Sequence, residues 1–80
     1  MKLTKLASTG NFTKLELFSY LDIYFSYETP IAMRVFEETF VTKNNWAQTT
    51  GKHINKVKQF HPEHEVIEHY ELMMKIKERI

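Results

Sequence analysis

Residues 12–27 have the sequence FTKLELFSYLDIYFSY, and the fold class depends on how this stretch is interpreted. Its apolar side chains recur at every second position, which is the period of a β-strand. The residues that share this parity are Leu15, Leu17, Leu21, Ile23 and Phe25. A helix remains an alternative, because apolar residues also occur here at helical spacing. The many aromatic residues and the isoleucine favour a pleated, half-buried surface, so we predict two strands, 13–18 and 21–27.

Two further strands are predicted immediately after this stretch. Pro30 lacks a backbone N–H donor and disfavours a helix at the residue before it, so it marks a connector. In residues 31–36, Ile31, Met33 and Val35 alternate with Ala32, Arg34 and Phe36, which predicts a third strand. Residues 39–42 predict a fourth strand. Glu37 and Glu38 would form the turn between them, although neither residue favours the positive φ of a tight hairpin.

The second half of the chain predicts two helices. Thr49 or Thr50 can cap the N-terminus of a short helix over residues 49–60. Pro62 suits the first position of a helix, and the apolar spacing that follows predicts a long C-terminal helix over 62–80. The basic residues near the end of the chain suit the negative end of a helix dipole.

The 80 residues are predicted to form one domain of the α+β class. We expect an antiparallel β-meander of three to four strands over residues 12–43, followed by the short helix and the long C-terminal helix packed on one face of the sheet. Residues 1–11 are predicted as an arm that ends in a Ser-Thr-Gly-Asn loop and that either docks through Leu3 and Leu6 or is flexible. Because the chain has no cysteine, we expect neither disulfide bonds nor thiolate chemistry.

Charge is distributed unevenly along the chain, although the net charge is only +1. Residues 41–60 contain four lysines and no acidic residue, which gives this segment a charge of +4. This profile argues against a DNA mimic, which would need dense carboxylates throughout. No stretch approaches the ~20 apolar residues of a membrane span, and no secretory signal follows the first two residues. We therefore expect an intracellular, soluble protein.

The run NNWAQTTGKHINKV, residues 44–57, contains a Thr-Gly-Lys sequence that looks like part of a phosphate-binding loop. Such a loop needs a glycine five positions before Gly51, where Trp46 stands, and Ser or Thr after the lysine, where His53 stands. The spacing therefore argues against nucleotide hydrolysis. We predict instead a turn, a buried Trp46 and the start of the short helix, with Gly51 packed closely against the ring of Trp46.

The four histidines do not form a recognisable metal or catalytic site. His64 and His69 are five residues apart, which separates them by about 140° on a helix. His61 and His64 lie on either side of the predicted helix start, so we expect neither a metal nor another cofactor. His53 is interpreted as a helix-surface residue, and a chain this short has little room for a deep pocket. The protein is therefore predicted not to be an enzyme.

Two surfaces are candidates for binding. The first is the basic segment, predicted to contact a protein partner or, as an alternative, nucleic acid. Its residues are Lys43, Lys52, Asn55, Lys56 and Lys58. The second is an apolar face of the C-terminal helix, which would bind a partner or a second copy of the chain in a homodimer. Its residues are Leu72, Met73, Ile76 and Ile80.

Residues 21–57 resemble a family of small proteins of unknown function found in bacteriophages and plasmids. The motif positions are Tyr24, Phe25, Ser26, Tyr27, Thr29, Ile31, Ala32, Val41, Asn44 or Asn45, Trp46 and Thr49 through Asn55. The relatives have a glycine-containing turn where this chain has Glu37 and Glu38. The resemblance implies no reaction, cofactor or catalytic residue. It implies an accessory protein of the bacterial host cytoplasm that binds a host or phage protein, with inhibition of host defence as one such role.

Overall fold

The computed structural model describes residues 1–7 and 10–80, so Ser8 and Thr9 of the predicted loop lie outside the described residues. The described residues form one sheet and two helices. The strands are β1 (Lys2–Lys5), β2 (Phe12–Leu17), β3 (Leu21–Ser26), β4 (Thr29–Val35), β5 (Glu38–Thr42) and β6 (Glu65–Ile67), and the helices are α1 (Gln48–Phe60) and α2 (His69–Arg79). The α+β class is confirmed, and residues 12–27 form two strands rather than a helix.

The six strands follow one another in sequence order across the sheet. Neighbours are antiparallel from β1 to β5, whereas β6 is parallel to β5. The predicted count of three to four strands is wrong, because sequence analysis missed a strand at each edge. At one edge, β1 lies in the segment predicted as an arm, where Leu3 pairs with Leu15 of β2.

At the other edge, β6 replaces the start of the predicted C-terminal helix. Residues 61–68 are not helical, because Glu65–Ile67 pair with β5 and α2 begins only at His69. Pro62 lies in a bend and not at the first position of a helix. Since two parallel strands cannot be joined by a hairpin, the chain crosses from β5 to β6 through α1.

The two helices pack on opposite faces of the sheet. The α2-side core consists of Leu21, Ile23, Met33, Val35, Phe40, Ile67, Leu72 and Ile76. The α1-side core consists of Phe12, Tyr24, Ile31, Ala32, Val41, Ile54 and Val57. The prediction of a single covered face is therefore wrong. As the crossover, α1 occupies one face, and the short β6 then leads the chain to the other.

The start of α1 also differs from the predicted threonine cap. The helix begins at Gln48, and Ala47 occupies the capping position without a side-chain hydrogen bond. Thr49 is exposed within the first turn, whereas Thr50 is buried. The cap prediction is wrong because the Thr50 hydroxyl forms a tertiary hydrogen bond with Ser26.

Gly51 lies in the first turn of α1, where the side chain of Asn44 approaches closely. A Cβ atom at this position would lie only 2.7 Å from Nδ2 of Asn44. The close packing predicted for Gly51 is present, but its neighbour is Asn44 and not Trp46. Trp46 is half-buried, and its ring meets the His69 ring edge-on with the centroids 5.0 Å apart. Because Oδ1 of Asn44 accepts the backbone N–H of Trp46 at 3.0 Å, the same side chain also orders the turn before α1.

Candidate functional site

A buried polar cluster joins α1 to the end of β3. The hydroxyl of Ser26 donates to Oγ1 of Thr50 at 3.0 Å and lies 2.6 Å from Nδ1 of His53. All three side chains are buried, so the interpretation of His53 as a helix-surface residue is wrong. Its position follows from helix geometry, because residues 50 and 53 are three apart and face the sheet on one side of α1.

The hydrogen bonds of this cluster fix the orientation of the His53 ring. Nδ1 of His53 and the hydroxyl of Ser26 share one hydrogen bond, and a hydroxyl can act as donor or acceptor in it. Burial lowers the pKa of His53, so the neutral ring is the form present at neutral pH.

His53 opens onto a pocket of about 320 Å³ between α1 and the segment that follows β1, here called the α1 pocket. The lining residues are Leu6, Ala7, Phe12, Thr49, Lys52, His53, Lys56, Gln59 and Phe60. The rings of Phe12, His53 and Phe60 lie in nearly parallel planes. The Phe12 ring stacks on His53 at 4.7 Å and 7°, and on Phe60 at 6.4 Å and 2°. The pocket is therefore lined by three stacked rings, of which Phe12 and His53 are buried and Phe60 is exposed.

The rim of the α1 pocket is basic. Lys52 and Lys56 are exposed and lie four residues apart, so they are neighbours on the helix surface. Among the described residues, neither lysine forms an ion pair. Asn55 is exposed on the same helix but does not line the pocket. Of the predicted basic segment, these two lysines are the residues brought together at a concave surface.

The other two predicted lysines do not join this rim. Lys43 forms an ion pair with Glu68 at 2.7 Å, and this hydrogen bond raises the pKa of the lysine. Lys58 is half-buried, and it lies about 120° around α1 from Lys52. The structure therefore does not bring the predicted binding residues between 43 and 58 together on one surface, because the turn and the helix send these side chains in different directions.

The predicted apolar face of the C-terminal helix is also divided. Leu72 is fully buried and Ile76 is 8% exposed, and both belong to the α2-side core. Met73 is half-buried, and Ile80 is exposed at the end of the chain. The structure therefore does not expose these four residues as one face, since α2 uses Leu72 and Ile76 to cover the sheet.

A second polar group lies at the end of α1, where Tyr24 and His61 share a hydrogen bond of 2.8 Å. Burial raises the pKa of Tyr24 to about 12 and lowers the pKa of His61, to which the nearby Arg34 also contributes. Both groups are therefore neutral at neutral pH. Arg34 pairs with the buried Asp22 at 3.0 Å. The Tyr24–His61 hydrogen bond connects the sheet to the chain after α1, whereas the ion pair joins β3 to β4.

Sequence reasoning missed Ser26, Thr50 and the stacked rings of the α1 pocket, although a signal was present. Ser26 belongs to the Phe-Ser-Tyr part of the motif, and Thr50 and His53 belong to its Thr-Thr-Gly-Lys-His part. The fold brings these two parts together within hydrogen-bonding distance. The motif thus corresponds to the joint between β3 and α1. Within residues 1–7 and 10–80, no group of three or more His, Asp or Glu side chains is arranged to hold a metal ion.

The fold and the site define a small α+β domain in which a six-stranded sheet lies between two helices and a basic-rimmed pocket flanks the crossover helix. The chain belongs to the family of unknown function DUF8033, whose family model matches residues 1–73. This match extends well beyond the segment 21–57 that carries the motif. No curated protein matched the chain, and no solved structure did. In the part of the chain that the structure describes, neither helix has the length and apolar character needed to cross a membrane.

Proposed function

We propose that this protein is a non-enzymatic accessory protein of a bacteriophage or plasmid, and that it acts in the bacterial host cytoplasm by binding a host or phage protein. Inhibition of a host defence protein is the narrower form of this proposal. The motif that resembles small phage and plasmid proteins supports the origin. The observation that carries the binding function is the pair of exposed lysines, Lys52 and Lys56, beside an apolar pocket.

This pair supports an acidic protein partner. Non-obligate protein interfaces combine an apolar centre with a polar rim, and the α1 pocket has both elements on a small scale. Because Lys52 and Lys56 have no ion-pair partner among the described residues, their charge is available to steer an oppositely charged surface. Asn55 extends the same exposed side of the helix with a side chain that can donate and accept hydrogen bonds.

The environment of Ser26 and His53 supports a role without catalysis. A serine nucleophile must reach its substrate, but Ser26 is only 1% exposed. Its hydroxyl is also engaged by Thr50 and His53, so it serves as a structural link between β3 and α1.

The test is affinity capture from lysate of the bacterial host with the wild-type protein and two charge-reversal variants. Lys52→Glu with Lys56→Glu removes the basic rim, whereas Lys2→Glu with Lys77→Glu makes the same change of net charge at exposed sites elsewhere. We expect a stoichiometric partner, identified by mass spectrometry, with wild type and the control but not with the rim variant. The free energy of unfolding of both variants should lie within about 0.5 kcal/mol of the wild-type value, since substitutions at exposed sites have small effects. Equal recovery by all three proteins, or no partner at all, would contradict the proposal.

Nucleic-acid binding is the second candidate function. It is favoured by the exposed ring of Phe60 beside the same lysines, because bases stack on aromatic side chains while lysines contact phosphates. Titration with random single-stranded and duplex DNA at two salt concentrations tests it. This candidate requires binding that weakens as salt rises and is lost in the rim variant.

A homodimer through α2 is less well supported, because Leu72 and Ile76 are buried in the core. Light scattering of the purified protein tests it.

A further inference from the structure

Three stacked aromatic rings lie at the end of the sheet where the chain turns after β2 and after β4. The rings belong to Phe18, Tyr20 and Phe36, here called the aromatic ladder. Tyr20 stacks with Phe18 at 5.6 Å and 15°, and with Phe36 at 4.8 Å and 9°. We infer that the aromatic ladder is a second binding surface, which takes an arginine from a basic segment of a partner protein. None of the three residues lines the α1 pocket, so this inference does not depend on the proposed function.

The two phenylalanines of the ladder are open to solvent. Phe18 is 66% exposed and Phe36 is 61% exposed, although each is stacked with Tyr20. Their exposed area therefore lies on the parts of the rings that Tyr20 does not cover. Tyr20 itself is half-buried and packs against the α2-side core. Exposed aromatic side chains that adjoin one another are typical of interaction sites.

The backbone of both phenylalanines is strained. Phe18 has a φ of 58° and Phe36 has a φ of 54°, in the left-handed region that bulky residues seldom adopt and that asparagine or glycine would suit better. Neither ring belongs to one of the two cores, so core burial does not offset this strain. Strained residues of this kind cluster at functional sites. The aromatic ladder is therefore better explained by binding than by stability.

Hydrogen bonds hold the ladder in place before any partner binds. The N–H of Phe36 donates to the carbonyl oxygen of Tyr20 at 2.9 Å, and Nη1 of Arg34 donates to the carbonyl oxygen of Phe36 at 2.6 Å. Because the turn is already ordered, a partner that binds there pays little conformational entropy for the protein side of the interface.

The charges beside the ladder favour a cationic partner. Glu37 and Glu38 directly follow Phe36, both are exposed, and neither forms an ion pair among the described residues. Arg34, the cation at this turn, is already paired with Asp22. The turn therefore carries unbalanced negative charge next to open aromatic rings. Such a surface repels the phosphates of nucleic acids and of anionic lipids, and it attracts a basic segment.

Arginine is the cation that suits both the rings and the carboxylates. Its guanidinium group is planar and stacks on the face of an aromatic ring. Its N–H groups can at the same time pair with a carboxylate. Lysine has the same charge, but its compact and strongly hydrated ammonium group has no plane with which to stack.

The experiment is an NMR titration of the full ¹⁵N-labelled chain at pH 7.5 with acetyl-Gly-Arg-Gly-Arg-Gly-amide. The amides of residues 17–21 and 35–39 should shift in a saturable manner. The peptide with citrulline in place of both arginines keeps the planar groups without their charge, and it should bind at least about fivefold more weakly. The peptide with two lysines keeps the charge without the plane, and it should bind about twofold to fivefold more weakly.

The turns at opposite ends of the sheet provide matched variants. Phe36→Asn with Glu37→Gln removes one ring of the ladder and one charge, and it should weaken binding of the arginine peptide at least about fivefold. Tyr27→Asn with Glu28→Gln makes the same two changes at the other end, where Tyr27 has a φ of 56° and is 53% exposed, and it should bind as wild type does. Asparagine tolerates a positive φ, so both variants should fold, which their thermal midpoints check. Phe18→Asn replaces the first variant if that protein does not fold.

Several results would overturn the inference. Equal binding of the arginine and citrulline peptides would remove the role of the glutamates, and equal binding of the arginine and lysine peptides would remove the role of the rings. Equal binding by the two turn variants would place the peptide elsewhere on the protein.

Two further measurements test other occupants of the ladder. Tighter binding of acetyl-Gly-Leu-Gly-Leu-Gly-amide than of the arginine peptide would show that the ladder takes an apolar partner, and the inference would be wrong. Light scattering that detects a dimer of the wild type but not of the Phe36→Asn, Glu37→Gln protein would show that a second copy of the chain covers the ladder, with the same consequence.

Discussion

The two sides of the sheet bury different kinds of side chain. The α2-side core contains eight apolar residues, and the polar residue buried beside them is Thr42, opposite Ile67. The hydroxyl of Thr42 has no hydrogen-bond partner among the described residues. On the other side, α1 is joined to the sheet by Ser26, Thr50 and His53, whose side chains bond to one another.

The α2 side therefore mainly stabilises the fold, whereas the α1 side also carries the α1 pocket. Apolar burial is non-directional and roughly proportional to area, so the α2 side holds the fold without specifying any particular contact. Where buried polar groups are paired, the pairing fixes the orientation of each group. On the α1 side the hydrogen bond at Nδ1 fixes the ring of His53, which lines the α1 pocket. The polar cluster and the α1 pocket therefore lie on the same side of the sheet.

The largest expected effect is on the α2 side, at Leu72. Leu72→Ala removes a fully buried side chain and should lower the free energy of unfolding by about 2–5 kcal/mol, because the cavity is only partly filled by relaxation. Urea denaturation at pH 7.5 measures it. The half-buried neighbour Met73→Ala is the control and should cost clearly less. A loss at Leu72 no larger than at Met73 would mean that α2 is not packed on the sheet as described.

The next effect tests the polar cluster on the α1 side. Ser26→Ala leaves Nδ1 of His53 and the hydroxyl of Thr50 buried without this partner, so the free energy of unfolding should fall by about 1–3 kcal/mol. Ser19→Ala, at an exposed turn position, should change it by less than about 0.5 kcal/mol. If both substitutions have the same small effect, the cluster does not hold α1 in place.

Removal of the unpaired polar group on the α2 side should stabilise the protein, in contrast to Ser26→Ala. Thr42→Val keeps the shape of the side chain and replaces an unpaired buried hydroxyl with a methyl group. The free energy of unfolding should rise by about 1 kcal/mol, because the cost of burying the hydroxyl disappears. Urea denaturation beside Ser26→Ala makes the comparison direct. A destabilised Thr42→Val protein would show that both sides depend on their polar groups.

The strands that could be predicted from sequence are those in which the alternation of apolar and polar residues continues over a long run. β2 to β5 alternate over five to seven residues, so the α2-side residues Leu21 and Ile23 could be assigned to one face from spacing alone. β1 and β6 are short and lie at the sheet edges, where pairing with a neighbour and not local pattern determines the strand. The hairpin after β4 shows the same limit. Glu37 and Glu38 drew attention as poor turn residues, but the positive φ of 54° falls on Phe36.

The candidate site was predicted in part for a similar reason. Lys52 and Lys56 were found because exposed lysines on a helix need no tertiary information. His53 was misplaced, because its burial depends on Ser26, which is 27 residues away along the chain. The ion pair of Lys43 could not be predicted, because its partner Glu68 lies 25 residues away along the chain. Contacts of this kind become visible only when β3, β5 and the two helices are placed together.

The smallest expected effect is a dependence of stability on pH that arises from the α1 side. Burial lowers the pKa of His53 and of His61 in the folded protein. In the unfolded chain the pKa of both groups is about 6.5, so below that pH the unfolded state binds more protons than the folded state. Stability from the neutral rings is therefore fully present above about pH 7.5 and is lost as the pH falls through 6.5.

Urea denaturation at pH 7.5 and at pH 5.5 measures this dependence. The free energy of unfolding should be lower at pH 5.5, and His53→Gln should reduce the difference between the two values. The side chains that contact the His53 ring are uncharged, namely Ser26, Phe12 and Tyr27, so burial is the cause of its lowered pKa. Leu72→Ala should lower stability by the same amount at both pH values, because it removes no titratable group. If acidification instead left the wild type unchanged and weakened only Leu72→Ala, the pH dependence would belong to the α2 side and the division between the two faces would fail.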